Sequence, residues 1–276
     1  MAICPICPRQ CNLKEGQIGF CRARACINGV VAPLNYGKIT SIALDPIEKK
    51  PLYHFYPGTR ILSVGSFGCN LRCPFCQNYE ISMAGINDIP HQNITPEKLL
   101  DLALKIAEEP NGNIGVAFSY NEPFISYEYV RDCSVLLHRH NLKSVLVTNG
   151  HINPEPLNEL LPLIDAMNID LKGFTQEYYD YVGGNLECVK QTIETASKRC
   201  HVEVTTLIVQ TKNDSADDME REAAWLAAVS PDIPLHLSRY FPRYKSDIPS
   251  TNIARIYRLQ EIAQKYLKYV HVGNCG

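Results

Sequence analysis

Three cysteines on a glycine-opened loop are the residues of this sequence best placed to do chemistry. They stand as Cys69, Cys73 and Cys76 in Gly68-Cys69-Asn70-Leu71-Arg72-Cys73-Pro74-Phe75-Cys76-Gln77-Asn78, a C-x3-C-x2-C spacing. Thiolates this near in sequence can converge on one soft metal centre with little loop closure. Closed zinc and iron–sulfur sites usually take four protein ligands. A set of three leaves a coordination position open, which a catalytic centre needs if substrate is to touch the metal. The competing reading is a zinc knuckle whose fourth ligand lies elsewhere in the chain.

A second set, Cys4, Cys7, Cys11 and Cys21, lies near the start in turn-rich, weakly apolar sequence. So short a piece has little core of its own, and a metal would supply the missing folding energy. Four thiolates make a closed site of the structural kind, zinc or iron–sulfur; the alternative is loosely placed free thiols. Cys26 is a surplus candidate that could replace one of the four. Cys133, Cys188 and Cys200 fall on or beside helical patterns and read as small buried hydrophobes.

The elements that must position the central loop alternate between strand and helix from Arg60 onward. The apolar, strand-like runs are Ile61–Phe67, Ile114–Tyr120, Ser144–Thr148, Ala166–Asp170, Val202–Val209 and Leu235–Tyr240, with Tyr269–Gly273 as a last candidate. Between them Thr95-Pro96-Glu97 opens a helix with a cap and a proline in its first turn. Leu99, Leu102, Ala103 and Ile106 then share a face, as do Leu186, Val189, Ile193 and Ala196, and Ile256, Leu259, Ala263 and Tyr266. Strands alternating with helices predict an α/β fold with a parallel sheet and right-handed crossovers. Six such units predict a partial (β/α)6 barrel over residues 59–276, behind a cysteine-rich N-terminal segment over residues 1–58 with short strands. The Pro57-Gly58 turn is the boundary. Within the N-terminal segment, Val30–Gly37 and Ile39–Leu44 read as extended pieces around a Tyr36-Gly37-Lys38 turn. Lys49 and Lys50 read either as partners of a charged substrate or as solvated lysines beside an aromatic patch, Tyr53 to Tyr56.

Reactive residues of barrels collect where strands end, and these strands end in unusual polar groups. The second leads to Asn121-Glu122-Pro123, the third to Thr148-Asn149-Gly150 and the fourth to Asp170-Leu171-Lys172. The fifth carries Glu203 and Thr205, and the sixth runs from His236 to Tyr240. By strict alternation His236 and Ser238 are the pair of that last group that share a face. The other histidines show no ligand spacing and read as surface or capping residues.

The cysteine loop, with Phe75 just before the third cysteine, resembles that of radical S-adenosylmethionine (SAM) enzymes. Asp45-Pro46-Ile47-Glu48-Lys49-Lys50-Pro51-Leu52-Tyr53-His54-Phe55, followed by Gly68-Cys69-Asn70 and Cys76-Gln77-Asn78, resembles the radical SAM member of the AmmeMemoRadiSam system. That group is similar to the activating enzymes of pyruvate formate-lyase. The resemblance runs from Cys4 to about Asn274 and implies the barrel fold of radical SAM enzymes.

It further implies that Cys69, Cys73 and Cys76 hold three irons of a 4Fe-4S cluster, with SAM chelating the fourth through its amino and carboxylate groups. One electron then breaks the bond from the sulfonium to the 5′ carbon, and the 5′-deoxyadenosyl radical takes a hydrogen from an unactivated carbon. Asn121-Glu122-Pro123 stands where the superfamily usually has Gly-Gly-Glu-Pro, so Glu122 becomes the partner of the methionyl ammonium. Tyr120-Asn121 in place of two glycines leaves the backbone there less free. Asn149 and Asp170 are expected on the ribose or the methionyl end, Phe75 beside the adenine, and Lys172 against SAM or substrate. From their place on the sixth strand, His236, Arg239 and Tyr240 are the candidates for the substrate side of the pocket. An external flavodoxin or ferredoxin is implied as electron donor. The substrate is either a protein glycine, as for the activating enzymes, or a small molecule, peptide or RNA handled with the other two AmmeMemoRadiSam proteins. A different class remains: a scaffold or binding protein whose cysteine sets both hold zinc.

A chain of 276 residues with 45% hydrophobic content is long enough for one large domain, or one with an appendage. The net charge of −2 argues for neither a nucleic-acid nor a membrane surface. The start, Met1-Ala2-Ile3-Cys4-Pro5, lacks the apolar core of a signal peptide, and no run approaches a membrane span. Twelve cysteines in such a chain point to metal and reduced thiols, and the expected location is the cytoplasm.

Overall fold

The computed structural model describes residues 1–110 and 112–276. Its spine is an 8-stranded sheet. In chain order the strands are β1 (Ser41–Pro46), β2 (Arg60–Gly65), β3 (Asn113–Phe118), β4 (Lys143–Thr148), β5 (Ala166–Asp170), β6 (His201–Ile208), β7 (Leu235–Arg239) and β8 (Val270–Gly273). They lie side by side in that same order, with β1 and β8 at the two edges, so the sheet does not close and the barrel is partial. Every neighbouring pair is parallel except β1 and β2, which run antiparallel. That pairing crosses the Pro57-Gly58 turn and joins the first residues of the sheet to the rest.

Helices α1 (Pro96–Ala107), α2 (Tyr127–Arg139), α3 (Pro154–Leu160), α4 (Gln176–Val182), α5 (Leu186–Ala196), α6 (Ala216–Val229) and α7 (Ile253–Ala263) supply the crossovers. Strands covered on both faces read as continuous apolar runs rather than alternating ones, which is why the sequence marks them so clearly. The run Ala166–Asp170 is β5 with the same limits, and the other runs differ by a residue or two at an end. Helix α1 begins as its sequence predicts: Lys98 N donates to Thr95 Oγ1 at 3.3 Å, and Pro96 occupies the first turn. Leu186, Val189, Ile193 and Ala196 of α5 and Ile256, Leu259 and Ala263 of α7 are all buried. Each large apolar side chain removed from water in this way contributes about 1.5–3 kcal/mol.

Alternation along the strands separates two layers. Leu62, Val64, Val116, Leu146, Met167 and Val204 belong to the main core that includes the helices. On the opposite face Ile61, Ala117, Val145 and Ala166 meet Ile47, Leu52 and Phe55. The stretch from Ile47 to Phe55 therefore fills the inside of the barrel rather than covering its outside. Asn168 Nδ2 donates to Pro51 O at 2.9 Å, and the buried Glu203 accepts from Tyr53 N at 3.0 Å and His54 N at 2.7 Å. Lys50 is not solvated: it is 3% exposed, and its Nζ donates to Asp45 Oδ2 at 2.8 Å. Lys49 is the exposed one of the pair. No helix among the described residues is long and apolar enough to cross a membrane.

Candidate active site

The chemistry-bearing residues meet in a cavity of about 270 Å³ at the C-terminal ends of the parallel strands. Cys69, Cys73 and Cys76 line it from the loop after β2; Tyr120, Asn121 and Glu122 from the end of β3; Asn149 from β4; Asp170 and Lys172 from β5. Thus Cys69, Cys73, Cys76, Phe75, Asn121, Glu122, Asn149, Asp170 and Lys172, all singled out in the sequence, face one space.

The cysteine loop is fastened by its backbone and its neighbours. Gly68 takes φ +88°, a left-handed conformation that glycine adopts without penalty, and a Cβ there would run into Cys21 O. Arg72 N donates to Val182 O at 2.8 Å, and the Arg72 guanidinium donates to Cys69 O at 2.7 Å. Asn121 clamps the start of the loop: its Oδ1 accepts from Ser66 N at 2.9 Å, while its Nδ2 donates to Gly68 O at 3.1 Å. Asn149 Nδ2 lies 3.6 Å from Cys69 Sγ and donates to Asn70 Oδ1 at 2.9 Å. Asn121 and Asn149 therefore hold the loop that presents the thiols, a positioning task beyond the cofactor contacts that the resemblance implies.

Glu122 is 2% exposed, and its carboxylate accepts from Asn149 N at 2.8 Å, Thr148 Oγ1 at 2.7 Å and Phe124 N at 2.9 Å. Burial pushes it up to about 7 while those three donors pull the other way. The carboxylate thus ties the end of β3 to the end of β4 and still borders the cavity. Lys172 Nζ donates to Asp170 Oδ2 at 2.7 Å. Burial works against the ammonium charge, but Asp170 and the neighbouring Cys73 outweigh it and hold the lysine protonated. Burial pushes the Cys73 thiol up to about 11 against the pull of Lys172. Cys69 is raised well above its ordinary value by burial and by the charge of Glu122. Such thiols stay neutral unless a metal displaces their protons.

Phe75 is buried, with its ring centroid 6.4 Å from Tyr178 in a stacked arrangement and 6.1 Å from Tyr240 edge-on. Tyr120 was legible only as a departure from two glycines. It adopts φ +68°, so a glycine-like backbone is kept with a large side chain, at a cost of about 1–2 kcal/mol. Its ring fits because its partner is Gly65, where a Cβ would lie 2.9 Å from Tyr120 Cβ. Its hydroxyl donates to Asp45 Oδ2 at 2.8 Å, joining the Lys50 pair inside the barrel. Thr205, Ser238 and Asn274 also line the cavity, and Asn274 Nδ2 donates to Ser238 Oγ at 3.0 Å. Asn274 carried no sequence signal, because it lies beyond the last strand.

His236 corrects the sequence reading. It shares the face of Ser238, as alternation requires, but it lies one layer lower and does not line the cavity. Its Nε2 is 2.6 Å from Glu203 Oε2, and His201 Nε2 is 2.9 Å from the other carboxylate oxygen. The His236 ring stacks on His271 at 5.1 Å, and His271 Nε2 is 2.9 Å from His54 Nε2. These histidines and Glu203 close the opposite end of the barrel.

The donor set fits a thiolate-bound cluster. Cys69, Cys73 and Cys76 are soft donors on one loop, while the two cavity carboxylates are engaged by Lys172 and by the donors around Glu122. Among the described residues no group of three or more His, Cys, Asp and Glu side chains is placed so as to hold one metal ion, and this applies to both cysteine sets. A multi-iron cluster spreads its thiolates wider than one ion does.

A model of the radical SAM superfamily matches residues 63–226. An uncharacterised protein of Methanocaldococcus jannaschii is 42% identical over 275 residues, covering 98% of this chain and 80% of its own length. Among solved structures, a radical SAM methyltransferase from Sphaerobacter thermophilus aligns with a TM-score of 0.59 at 18% identity, over 79% of this chain and 67% of that one. A domain of pyruvate-formate lyase-activating enzyme from Bacteroides vulgatus aligns with a TM-score of 0.51 at 17% identity, over 58% of this chain and 99% of that one. At these identities the two structures share the fold.

Proposed function

Because the chain belongs to the radical SAM superfamily, we propose that its cavity is where SAM meets a 4Fe-4S cluster held by Cys69, Cys73 and Cys76, and that the enzyme is the radical SAM member of an AmmeMemoRadiSam set. Cluster and SAM, when bound, supply a reductively generated 5′-deoxyadenosyl radical that abstracts a substrate hydrogen. The observation that carries this reading is the convergence of the three thiols with Glu122, Asn149, Asp170 and Lys172 at successive strand ends.

The chain's own residues bind, orient and exclude water. Glu122 offers a buried negative charge for the methionyl ammonium, and a cation against it would lower its proton affinity and keep it ionised. Asn149, fixed by Glu122 through its backbone and by Asn70 through its amide, presents a polar edge to the ribose or methionyl end. Lys172, locked to Asp170, puts a permanent positive charge beside Cys73 and favours thiolate there. Phe75 supports the adenine side from its packed position. Electrons enter from a small low-potential protein of the flavodoxin or ferredoxin class, and the substrate is presented with the other two proteins of the set.

The support for that particular system lies in the Asp45-to-Phe55 stretch, which is built into the barrel interior and ends at Glu203. The test is formation of 5′-deoxyadenosine from SAM and dithionite by the anaerobically reconstituted protein. Cys73→Ala is expected to leave a folded barrel that forms none, and continued cleavage by that variant overturns the ligand assignment. Product formation rising on addition of the two partner proteins supports the AmmeMemoRadiSam role. A radical signal transferred to an added glycyl-radical protein favours the activating-enzyme role instead.

A further inference from the structure

The four N-terminal cysteines, unused by this chemistry, gather around one small void. Cys4, Cys7, Cys11 and Cys21 line it together with Arg24 and Asn70. The backbone brings them there by two tight turns. Ala2–Ile3 pairs with Asn12–Leu13, and at the end of that ladder Cys4 N donates to Cys11 O at 3.0 Å. Gln10 N donates to Cys7 O at 3.0 Å and closes the tip of the hairpin. Cys21 arrives from a second turn, where Gly19 N donates to Arg24 O at 2.8 Å and Arg22 N to Gly19 O at 2.9 Å. Cys4, Cys7 and Cys21 are buried, Cys11 is half-buried, and all four are free thiols.

Buried free cysteines are often no more than small hydrophobes, so convergence alone decides nothing. The deciding feature is Arg24. Its Nη1 and Nη2 donate to Glu128 at 2.7 and 2.6 Å, and Nη1 also donates to Ile125 O at 3.1 Å. Its Nε is buried with no hydrogen-bond partner, on a residue that lines the same void as the thiols. A neutral thiol is a poor acceptor, whereas a metal-bound thiolate is a good one. Arg9 adds a second positive charge near Cys7, Cys11 and Cys21. Four thiolates around a divalent ion, or around a 4Fe-4S core in its usual oxidised state, carry two negative charges in excess. The Arg9 guanidinium and the Glu128-paired Arg24 guanidinium both line the void beside that excess.

We propose that Cys4, Cys7, Cys11 and Cys21 form a second, four-thiolate metal centre that fastens the N-terminal segment to the catalytic loop. Loading with a divalent ion, or with a preassembled 4Fe-4S core, releases the four thiol protons to solvent as the metal–sulfur bonds form, and in neither case does an electron move. The centre is built against the machinery of the cavity. Arg9 Nε donates to Asn70 O at 2.8 Å, next to Cys69, and its Nη2 donates to Gly183 O. Asn153 N donates to Ile6 O at 2.9 Å. Cys21 O is the atom that leaves no room for a side chain on Gly68.

The proposal does not rest on SAM chemistry and is tested without it. In the full-length variant Cys69→Ala/Cys73→Ala/Cys76→Ala, purified under reducing conditions, elemental analysis is expected to find about one zinc, or a cluster's complement of iron and sulfide, per chain. Zinc alone identifies a single-ion site, and iron with sulfide identifies a cluster; either supports the centre. Cobalt(II) loading of the same variant is expected to give the intense near-ultraviolet charge-transfer bands of thiolate ligation. Adding Cys7→Ser should abolish metal and bands together. A folded triple variant that holds neither metal nor cobalt overturns the proposal, as does undiminished binding after Cys7→Ser.

Discussion

Gly68 is the point where the Cys69–Cys76 loop touches the N-terminal segment, and Gly68→Ala measures how much that contact constrains the chain. Two costs follow from the structure. Forcing an L-residue to φ +88° costs about 1–2 kcal/mol. The new methyl would also press on Cys21 O and lie 2.9 Å from Ala23 Cβ, and overpacking of this kind costs about 1–3 kcal/mol. Gly29 provides the control, because it has φ +77° with nothing within 4 Å of a built Cβ. Gly29→Ala therefore carries the conformational cost alone. With about 2–4 °C lost per kcal/mol, Gly68→Ala is expected to melt about 10 °C below wild type and Gly29→Ala about 5 °C below. Differential scanning calorimetry reads the first quantity, and iron per chain after anaerobic reconstitution reads the second. Iron should fall in Gly68→Ala and stay at the wild-type level in Gly29→Ala. If both variants melt within about 2 °C of one another and both reconstitute fully, the loop is not set by Cys21 and the reasoning fails.

Glu122→Gln puts an amide where three donors expect a carboxylate, so at least one of its N–H groups faces another donor; a loss of about 1–3 kcal/mol follows. Loss of the charge proposed to face the methionyl ammonium, about 1.5–3 kcal/mol for a charged hydrogen bond, should separately raise the KM for SAM roughly 10- to 150-fold, read as 5′-deoxyadenosine formation against SAM concentration, and an unchanged KM would remove Glu122 from SAM binding. His236→Ala should leave that KM untouched while lowering the melting temperature, since it strips a partner from the buried Glu203; a raised KM with unchanged stability would return His236 to the site. Glu203 tests the other end by pH. Burial alone would raise it, but donors from His201, His236, His54 and Tyr53 hold it down at about 2. A carboxylate depressed in the folded state stabilises above its unfolded value, near 4.5, and that stability is lost as pH falls toward 2. At about 1.4 kcal/mol for each tenfold change the contribution is about 3 kcal/mol. Urea unfolding of wild type and Glu203→Gln should show a gap that narrows by about that amount between pH 6 and the acid limit, and a gap independent of pH would refute the assignment.

Local spacing made most of the fold and the cavity legible, because parallel strands covered on both faces announce themselves as apolar runs. Polar residues placed directly after those runs had to arrive at one end of the sheet, which brought Glu122, Asn149, Asp170 and Lys172 together without knowledge of any distance. What stayed hidden depended on depth and on contacts between distant segments. Alternation gives the face of His236 but not its layer, and the layer was settled by Glu203 on the neighbouring strand. Lys50 read either as a partner of a charged substrate or as a solvated lysine beside an aromatic patch; its burial follows from Ile47, Leu52 and Phe55 entering the barrel, a long-range event that no window of sequence reports. Tyr120 concealed a glycine-like backbone under a bulky side chain, and its room came from Gly65 on the adjacent strand.

The two ends of the barrel divide the polar work in a way that bears on catalysis. At the far end, Glu203 satisfies Tyr53 N and His54 N and engages two histidine rings, so its charge is spent on holding the Asp45-to-Phe55 stretch inside. From that stretch, Lys50 and Asp45 reach upward to Tyr120, whose left-handed backbone places Asn121 and Glu122 at the cavity. Asn121 in turn fixes the start of the cysteine loop. A hydrogen-bonded chain of this kind, buried at Lys50, Glu122 and Glu203 and half-buried at Asp45, Tyr120 and Asn121, is costly to break, since each loss leaves a polar partner unsatisfied. The Asp45-to-Phe55 stretch is thus a support for the loop that carries the thiols. Substitutions at Lys50 or Asp45 should therefore register in cluster binding before they register in any property of the substrate.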